Sequence, residues 1–286
     1  MAAKILDGNA LMRARRAGLA AEVEAFIAKH GVAPCLAAIL VGDDPASHSY
    51  VKSKARDAGR VGMRSETFHL AASTTPAELL ALIDDLNARR DVHGILPQLP
   101  LPRQIDPDLV FERLRPEKDV DGLTPANLGR LVIGRARLVP CTPLGVMALI
   151  DAAGVDLAGR EAVVVGRSTI VGKPTALLLL QRHATVTMCH SRTADLAGHI
   201  GRADILVSAV GQARLVRREM VKLGAVVIDV GISRVGGDLV GDVDFEAVRE
   251  VAGAITPMPG GTGPMTRAML LENTLAAARW QLEASA

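Results

Sequence analysis

The chain has 286 residues, 49% of them hydrophobic and only 2% aromatic, with 33 basic and 31 acidic side chains giving a net charge of +2. That length suits one large or two ordinary domains whose cores are built from Ala, Val, Leu and Ile rather than from rings. Scattered basic residues in a near-neutral balance argue against a nucleic-acid-binding stripe, and no apolar run is long enough to cross a bilayer.

Short apolar runs alternate with longer amphipathic segments, which predicts an α/β chain with parallel strands and helical crossovers. A helix is expected over Ala10 to His30, a strand over Cys35 to Val41 and a helix from Pro45 to Ala58. Asp44 followed by Pro45 is a strong start for that helix: a side-chain acceptor at the cap and a ring-locked first position. It carries Tyr50, the only tyrosine of the chain, and Lys54 one turn apart on one face. The pair reads as a flat plate beside an amine, suited to binding a ring and moving a proton next to it. For Lys54 alone, a solvated surface lysine is the ordinary reading.

A strand at Ser65 to Leu70 follows, and Thr75-Pro76-Ala77-Glu78 opens the next helix with a capping box. That helix runs to about Arg89, and His93 to Leu96 is the following strand. Pro97-Gln98-Leu99-Pro100-Leu101-Pro102 then interrupts the pattern, since three prolines in six residues stop both helix and ladder. Gln98 is the polar residue of this apolar run; its amide is either exposed on a loop or aimed at a partner. A helix restarting at Thr142-Pro143 and ending at Gly154 reads as a connector between domains.

From Glu161 the strands are expected at Ala162 to Gly166, Thr185 to Cys189, Ile205 to Ser208 and Val226 to Asp229, and Gly263 to Glu283 closes the chain as a long helix. Val163-Val164-Val165-Gly166-Arg167-Ser168-Thr169-Ile170-Val171-Gly172-Lys173-Pro174 is a strand, a glycine turn and a new helix. Such a segment places free N–H groups and the positive end of a helix dipole where an open parallel sheet binds pyrophosphate. The spacing is not Gly-x-Gly-x-x-Gly, so the segment alone also fits plain fold punctuation. The next strand ends in His190-Ser191-Arg192-Thr193, without the acid that grips the ribose hydroxyls of NAD. Arg192 suits a 2′-phosphate through its donor fork, which favours NADP over NAD.

Cys35, Cys141 and Cys189 lie far apart, with no Cys-x-x-Cys and no His/Cys cluster at ligand spacing, so no metal site is expected. They read as buried free thiols in a reducing, cytoplasmic compartment. Met1 to Leu19 is rich in Arg and Ala, as a transit peptide is, but Asp7 and Gly8 break the pattern and no small-residue cleavage site follows; it reads as mature protein.

Taken together, the motifs Val41-Gly42-Asp43-Asp44-Pro45-Ala46-Ser47 with Tyr50 to Lys54, Gly94 to Pro102, Lys118-Asp119-Val120-Asp121-Gly122, the glycine loop, Asp229-Val230-Gly231-Ile232 and Pro259 to Thr266 are in specific order. In them the chain resembles, along nearly its whole length, the bifunctional methylenetetrahydrofolate dehydrogenase/cyclohydrolase family. The resemblance implies two α/β domains separated by a cleft. A folate-binding domain spans 1–142, with the helix at 268–286 returning to it, and a Rossmann-type NADP domain spans 143–267. It implies oxidation of 5,10-methylenetetrahydrofolate with NADP⁺ and hydrolysis of the methenyl product to 10-formyltetrahydrofolate. Lys54 matches the proton-handling group of the hydrolysis, Gln98 its partner, Tyr50 the aromatic on the folate and Asp121 the carboxylate on the pterin edge. Leu99 and Pro259, Gly260 and Gly261 match positions lining the folate site. Gly166, Arg167, Ser168, Ser191 and Ile232 match cofactor contacts, joined by Arg192 from the strand argument. A homodimer through the cofactor domains is implied, with no membrane or nucleic-acid partner.

Pro97, Leu123, Thr124 and Thr262 depart from the residues usual in that family. Two alternatives follow: a dehydrogenase whose cyclohydrolase step is weak because of Pro97, and a non-catalytic dinucleotide-binding domain on the same fold.

Overall fold

The computed structural model describes residues 3–283. The chain begins with β1 (Lys4–Ile5), α1 (Gly8–His30), β2 (Cys35–Val41), α2 (Pro45–Arg60), β3 (Arg64–Leu70), α3 (Pro76–Ala88) and β4 (Gly94–Pro97). It continues with α4 (Pro107–Arg113), α5 (Pro125–Val132), α6 (Cys141–Ala153), β5 (Glu161–Val165), α7 (Gly172–Gln181), β6 (Thr185–Cys189), α8 (Leu196–Ile200), β7 (Ile205–Ser208) and β8 (Val226–Asp229). Last come β9 (Ser233–Val235), β10 (Asp238–Val240), α9 (Phe245–Val248), β11 (Ala254–Ile255) and α10 (Thr262–Glu283). The contacts divide these elements into two α/β units, one of Ala14–Cys141 with the chain from Leu270, the other of Thr142–Met269 with the chain up to Arg13.

The first unit holds a three-stranded parallel sheet in the order β3-β2-β4. All seven residues of β2 are buried, as expected for a parallel strand covered on both faces. Leu19, Val23 and Phe26 of α1 form a core with Ala58, Val61 and Met63 and with Leu271, Leu275 and Ala278 of α10. The predicted capping box of α3 is present, with Thr75 and Glu78 satisfying each other's backbone donors. One boundary needs correction. Pro97 does not stop the ladder but is its last member, paired with Ile39. β4 is the edge strand of this sheet, where a residue without N–H is tolerated.

The second unit holds a parallel sheet in the order β1-β11-β8-β7-β5-β6. Val163, Val165, Leu206, Val227 and Ile255 from its strands are buried in one cluster with Val248. β6 and β7 flank β5 on opposite sides, so the winding direction reverses at β5. The first residues do not belong with the first unit, as the 1–142 assignment expects. β1 joins this sheet instead, because Lys4 N and Leu6 N donate to Gly253 O and Ile255 O at 2.9 and 2.8 Å and so satisfy its exposed backbone. The sequence reading also missed the β9–β10 hairpin. Its turn is Gly236-Gly237, both at positive φ (61° and 95°), which matches the twist of the flanking strands.

Candidate active site

Asp44 starts α2 as predicted: its Oδ2 accepts from Ser47 N at 2.8 Å and Ser47 Oγ at 2.7 Å, with Pro45 in the first turn. Those bonds, the side-chain one first, hold the Asp44 carboxyl below its ordinary range. Ser47, Val51, Lys54 and Ala58 are buried, and their spacing draws one stripe along the helix. Lys54 lies on that stripe and is only 6% exposed. The surface reading of this lysine is therefore overturned by its burial.

Lys54 Nζ donates to Gln98 Oε1 at 2.9 Å and stands 4.6 Å from the centroid of the Tyr50 ring. Gln98 N donates to Ile39 O at 2.8 Å, which ties the residue to β2, and its Nε2 donates to Leu99 O at 2.6 Å. The Leu99 carbonyl only accepts, so it takes Gln98 Nε2 and leaves Oε1 for the Lys54 N–H. Tyr50, Lys54 and Gln98, with the Leu99 carbonyl, are thus brought together from a helix and the end of an edge strand.

Asp121 is half-buried. Its neighbour Val120 accepts at the carbonyl from Cys141 Sγ at 3.2 Å and from Asn273 Nδ2 at 2.8 Å. Asn273 also donates to Val139 O at 2.8 Å, closing the loop around Gly122. Gly122 has φ +66°, and a Cβ there would lie 2.6 Å from the Val139 carbonyl carbon. Burial pushes the Cys141 thiol well up, the Asp121 carboxylate pushes it further, and the Lys54 ammonium opposes. Lys54 and Asp121 therefore act on one locale, and Cys141 stays a protonated donor there. Asp119 Oδ2 accepts from Thr124 N at 2.7 Å and Asn127 Nδ2 at 2.9 Å. Thr124 in turn caps α5, which explains a hydroxyl at that position.

In the second unit a cavity of about 540 Å³ opens where the strand order reverses. Its wall takes Gly166 and Arg167 after β5, His190, Ser191 and Thr193 after β6, and Val210 and Gln212 after β7. This is the position for a dinucleotide in a doubly wound sheet. Gly166 has φ +123°, and a Cβ there would run into the Ala209 carbonyl; one at Gly172 would strike the Gly166 carbonyl. The glycines therefore keep strand, loop and helix close enough for backbone N–H groups to face a phosphate. Ser168 Oγ accepts from Val171 N at 3.1 Å and Gly172 N at 3.3 Å, so this hydroxyl holds the loop itself. Arg192 and Ile232 are exposed and lie outside the wall of this cavity. With Arg192 and no carboxylate directly at the end of β6 (Asp195, further on, is engaged in capping α8), the residues fit a dinucleotide carrying a 2′-phosphate.

The sequence reading missed Thr193, Val210, Gln212 and, behind them, Asp242. Asp242 is fully buried; it accepts from Ser208 Oγ at 3.0 Å and from Val210 N and Gln212 N at 2.8 Å each. The rule that ligands sit at the carboxyl ends of strands beside a switch point would have pointed to the loop after β7. Pro259, Gly260 and Gly261 precede α10 in this same unit. Gly260 has φ +109°, and Thr262 Oγ1 donates to Asp229 O at 3.1 Å.

Known proteins match both units. The family model described as tetrahydrofolate dehydrogenase/cyclohydrolase, catalytic domain, covers residues 6–121, and its NAD(P)-binding domain model covers residues 140–282. The bifunctional protein FolD of Moorella thermoacetica is 56% identical over 280 residues, 98% of this chain and 100% of its own. The bifunctional methylenetetrahydrofolate dehydrogenase/cyclohydrolase of Campylobacter jejuni superposes with a TM-score of 0.95 at 49% identity, over 98% of this chain and 100% of that one. The Trypanosoma brucei dehydrogenase-cyclohydrolase, solved with NADP cofactor and inhibitor, superposes at 0.95 with 41% identity, over 99% of both chains.

Proposed function

The chain belongs to the tetrahydrofolate dehydrogenase/cyclohydrolase family, and from that premise we propose that Lys54, Gln98, Tyr50 and Asp121 handle the folate in its hydrolytic half-reaction. The enzyme oxidises 5,10-methylenetetrahydrofolate to the 5,10-methenyl form with NADP⁺ and hydrolyses that product to 10-formyltetrahydrofolate, a step of one-carbon metabolism. The observation that carries the residue roles is the buried Lys54 amine donating to Gln98 beneath the Tyr50 ring.

Burial disfavours the charged form of an amine. In its amine form Lys54 takes one proton of the water that adds to the methenyl carbon and passes it to the ring nitrogen as the carbon–nitrogen bond breaks, while the remaining hydroxyl proton leaves to solvent as the formyl carbonyl forms. Gln98 Oε1 accepts an N–H of Lys54 in either protonation state and so holds the nitrogen in place. Tyr50 offers its face to the pterin, and Asp121 offers acceptors to the donor-rich aminopyrimidine edge. Leu99 in the first unit is assigned to the folate as well, and the Pro259-Gly260-Gly261 turn of the second unit is assigned to substrate binding by family resemblance.

NADP⁺, when bound, supplies the hydride acceptor. Gly166, Arg167 and Ser191 line its cavity, Ser168 braces the glycine loop, and Arg192 with Ser191 stands where the 2′-phosphate goes. Ile232 is an exposed apolar side chain that we assign to the cofactor ring. Mixing the full chain with NADP⁺ and methylenetetrahydrofolate tests the assignment: methenyl absorbance rises transiently and 10-formyl product accumulates. Methenyl product that persists points to a dehydrogenase with weak hydrolysis; no absorbance change points to a non-catalytic dinucleotide-binding chain.

No helix of the described residues is long and apolar enough to cross a membrane. We place the enzyme in the cytoplasm, because its three cysteines are free and buried, as in proteins of reducing compartments. We assign a homodimer formed through the second unit. Val235 and Leu239 are exposed on the β9–β10 hairpin, at 51% and 39%, and Leu223 is 81% exposed. Light scattering of the eluting protein measures the mass directly.

A further inference from the structure

We propose that Asp43, His48 and His69 form a binding site for a divalent transition-metal ion of the zinc class. The sequence gives no hint of it, because positions 43, 48 and 69 match no ligand spacing; the fold brings them together. Asp43 lies in the turn after β2, His48 in the first turns of α2, and His69 in β3, paired with Leu40.

Asp43 Oδ1 lies 3.2 Å from His69 Nε2 and 3.8 Å from His48 Nε2. The two rings stand edge to face at 82°, with centroids 4.7 Å apart. One ligand atom from each residue falls within 4.8 Å of the others. Tetrahedral zinc with nitrogen and oxygen ligands at about 2.0–2.1 Å separates them by roughly 3.3 Å, so the cluster needs to contract by about 1.5 Å at most. The Asp43 distances already fit, so the contraction falls on the two imidazoles, whose side chains are 42% and 45% exposed and can turn toward each other. Asp44, the neighbour of Asp43, is committed to capping α2, so the two adjacent acids have separate tasks.

The donor chemistry agrees. Two imidazoles and one carboxylate are a set that zinc accepts, with a further position left for water. A cavity of about 580 Å³ lined by both histidines gives that position access to solvent. His69 Nε2 faces two acceptors, Asp43 Oδ1 and the Gly42 carbonyl at 3.1 Å. Binding an ion at this nitrogen requires the tautomer with its proton on Nδ1.

Calorimetric titration of the chelator-treated full chain with zinc chloride at neutral pH, without nucleotide, tests the site. One saturable zinc per chain is expected, with a melting temperature that rises with zinc and falls back with EDTA. Asp43→Asn, His48→Gln and His69→Gln are each expected to weaken binding at least about tenfold, as loss of a ligand does. His30→Gln, an exposed histidine elsewhere, serves as control and should bind as wild type. The buried cysteines keep thiols from competing in the native protein. Absence of saturable binding overturns the proposal, and so does a His48→Gln/His69→Gln double variant that binds zinc like the wild type.

Discussion

Asp229 and Asp242 are linked through the backbone: Asp229 Oδ1 accepts the N–H of Asp242 at 3.0 Å, while the Asp242 carboxylate turns the other way, onto the loop after β7. One buried acid thus holds the other in place, and the second holds a wall of the cofactor cavity. Asp242→Ala strands two backbone donors and the Ser208 hydroxyl, each costing about 1–3 kcal/mol when left unpaired in the interior. We expect a loss of about 3 kcal/mol or more in urea unfolding and a KM for NADP raised about tenfold. A destabilised variant with an unchanged KM would separate the loop from cofactor binding.

Burial pushes the Asp229 carboxyl from 3.8 up to about 6; the N–H groups of Val243, Asp242 and Gly231 pull against that rise, and Asp242 adds to it. The native state therefore binds a proton more readily than the unfolded chain. The contribution to stability is complete below pH 3.8 and is lost as pH rises through about 6, amounting to about 3 kcal/mol by linkage. Urea midpoints of wild type and Asp229→Asn, measured across this window, should differ in slope, with the wild type losing more stability as pH rises. Parallel curves would refute the assignment.

Lys54→Met keeps the stem of the side chain in its buried stripe and removes the amine. Hydrolysis of methenyltetrahydrofolate should fall by about 10²–10⁴-fold, the range of general acid–base catalysis. Folate and NADP affinities should hold within a few-fold. Hydrolysis at the wild-type rate would remove Lys54 from the chemistry.

Gln98→Glu replaces a neutral acceptor with an anion 2.9 Å from the same nitrogen. An adjacent negative charge favours the protonated amine, so the pH profile of hydrolysis should move to higher pH, with less activity at neutrality. The dehydrogenase profile is the internal control. Identical hydrolysis profiles in variant and wild type would mean that the amine is not the titrating group.

Arg192→Ala removes the guanidinium beyond β6 and leaves the cavity wall untouched. The KM for NADP should rise by about tenfold or more, the worth of a charge-assisted hydrogen bond of about 1.5–3 kcal/mol. The KM for NAD should hardly change. Equal effects on both cofactors would place the 2′-phosphate elsewhere.

Local signals carried much of this molecule. Asp44-Pro45 and Thr75-Pro76 start helices where their caps predict, and β2, β6, β7 and β8 lie where the apolar runs end and begin. Capping and strand burial depend on neighbours within a few residues, so a linear reading reaches them. Short elements such as β1, β11 and the β9–β10 hairpin were not legible: two or three residues carry no period, and for β1 and β11 it is pairing partners far away in the chain that make them strands.

The same division runs through the functional residues. Tyr50 and Lys54 are one turn apart in any helix starting at Pro45, and a glycine turn after an apolar strand marks a phosphate loop wherever it occurs; both follow from covalent spacing and backbone sterics. Whether Lys54 was solvated or buried, which atom its amine met, how Asp242 came to brace a loop some thirty residues before it, and why two histidines face one aspartate were settled by packing. Burial and hydrogen-bond partners are properties of the surroundings that folding assembles, and chain order does not encode them at any fixed spacing.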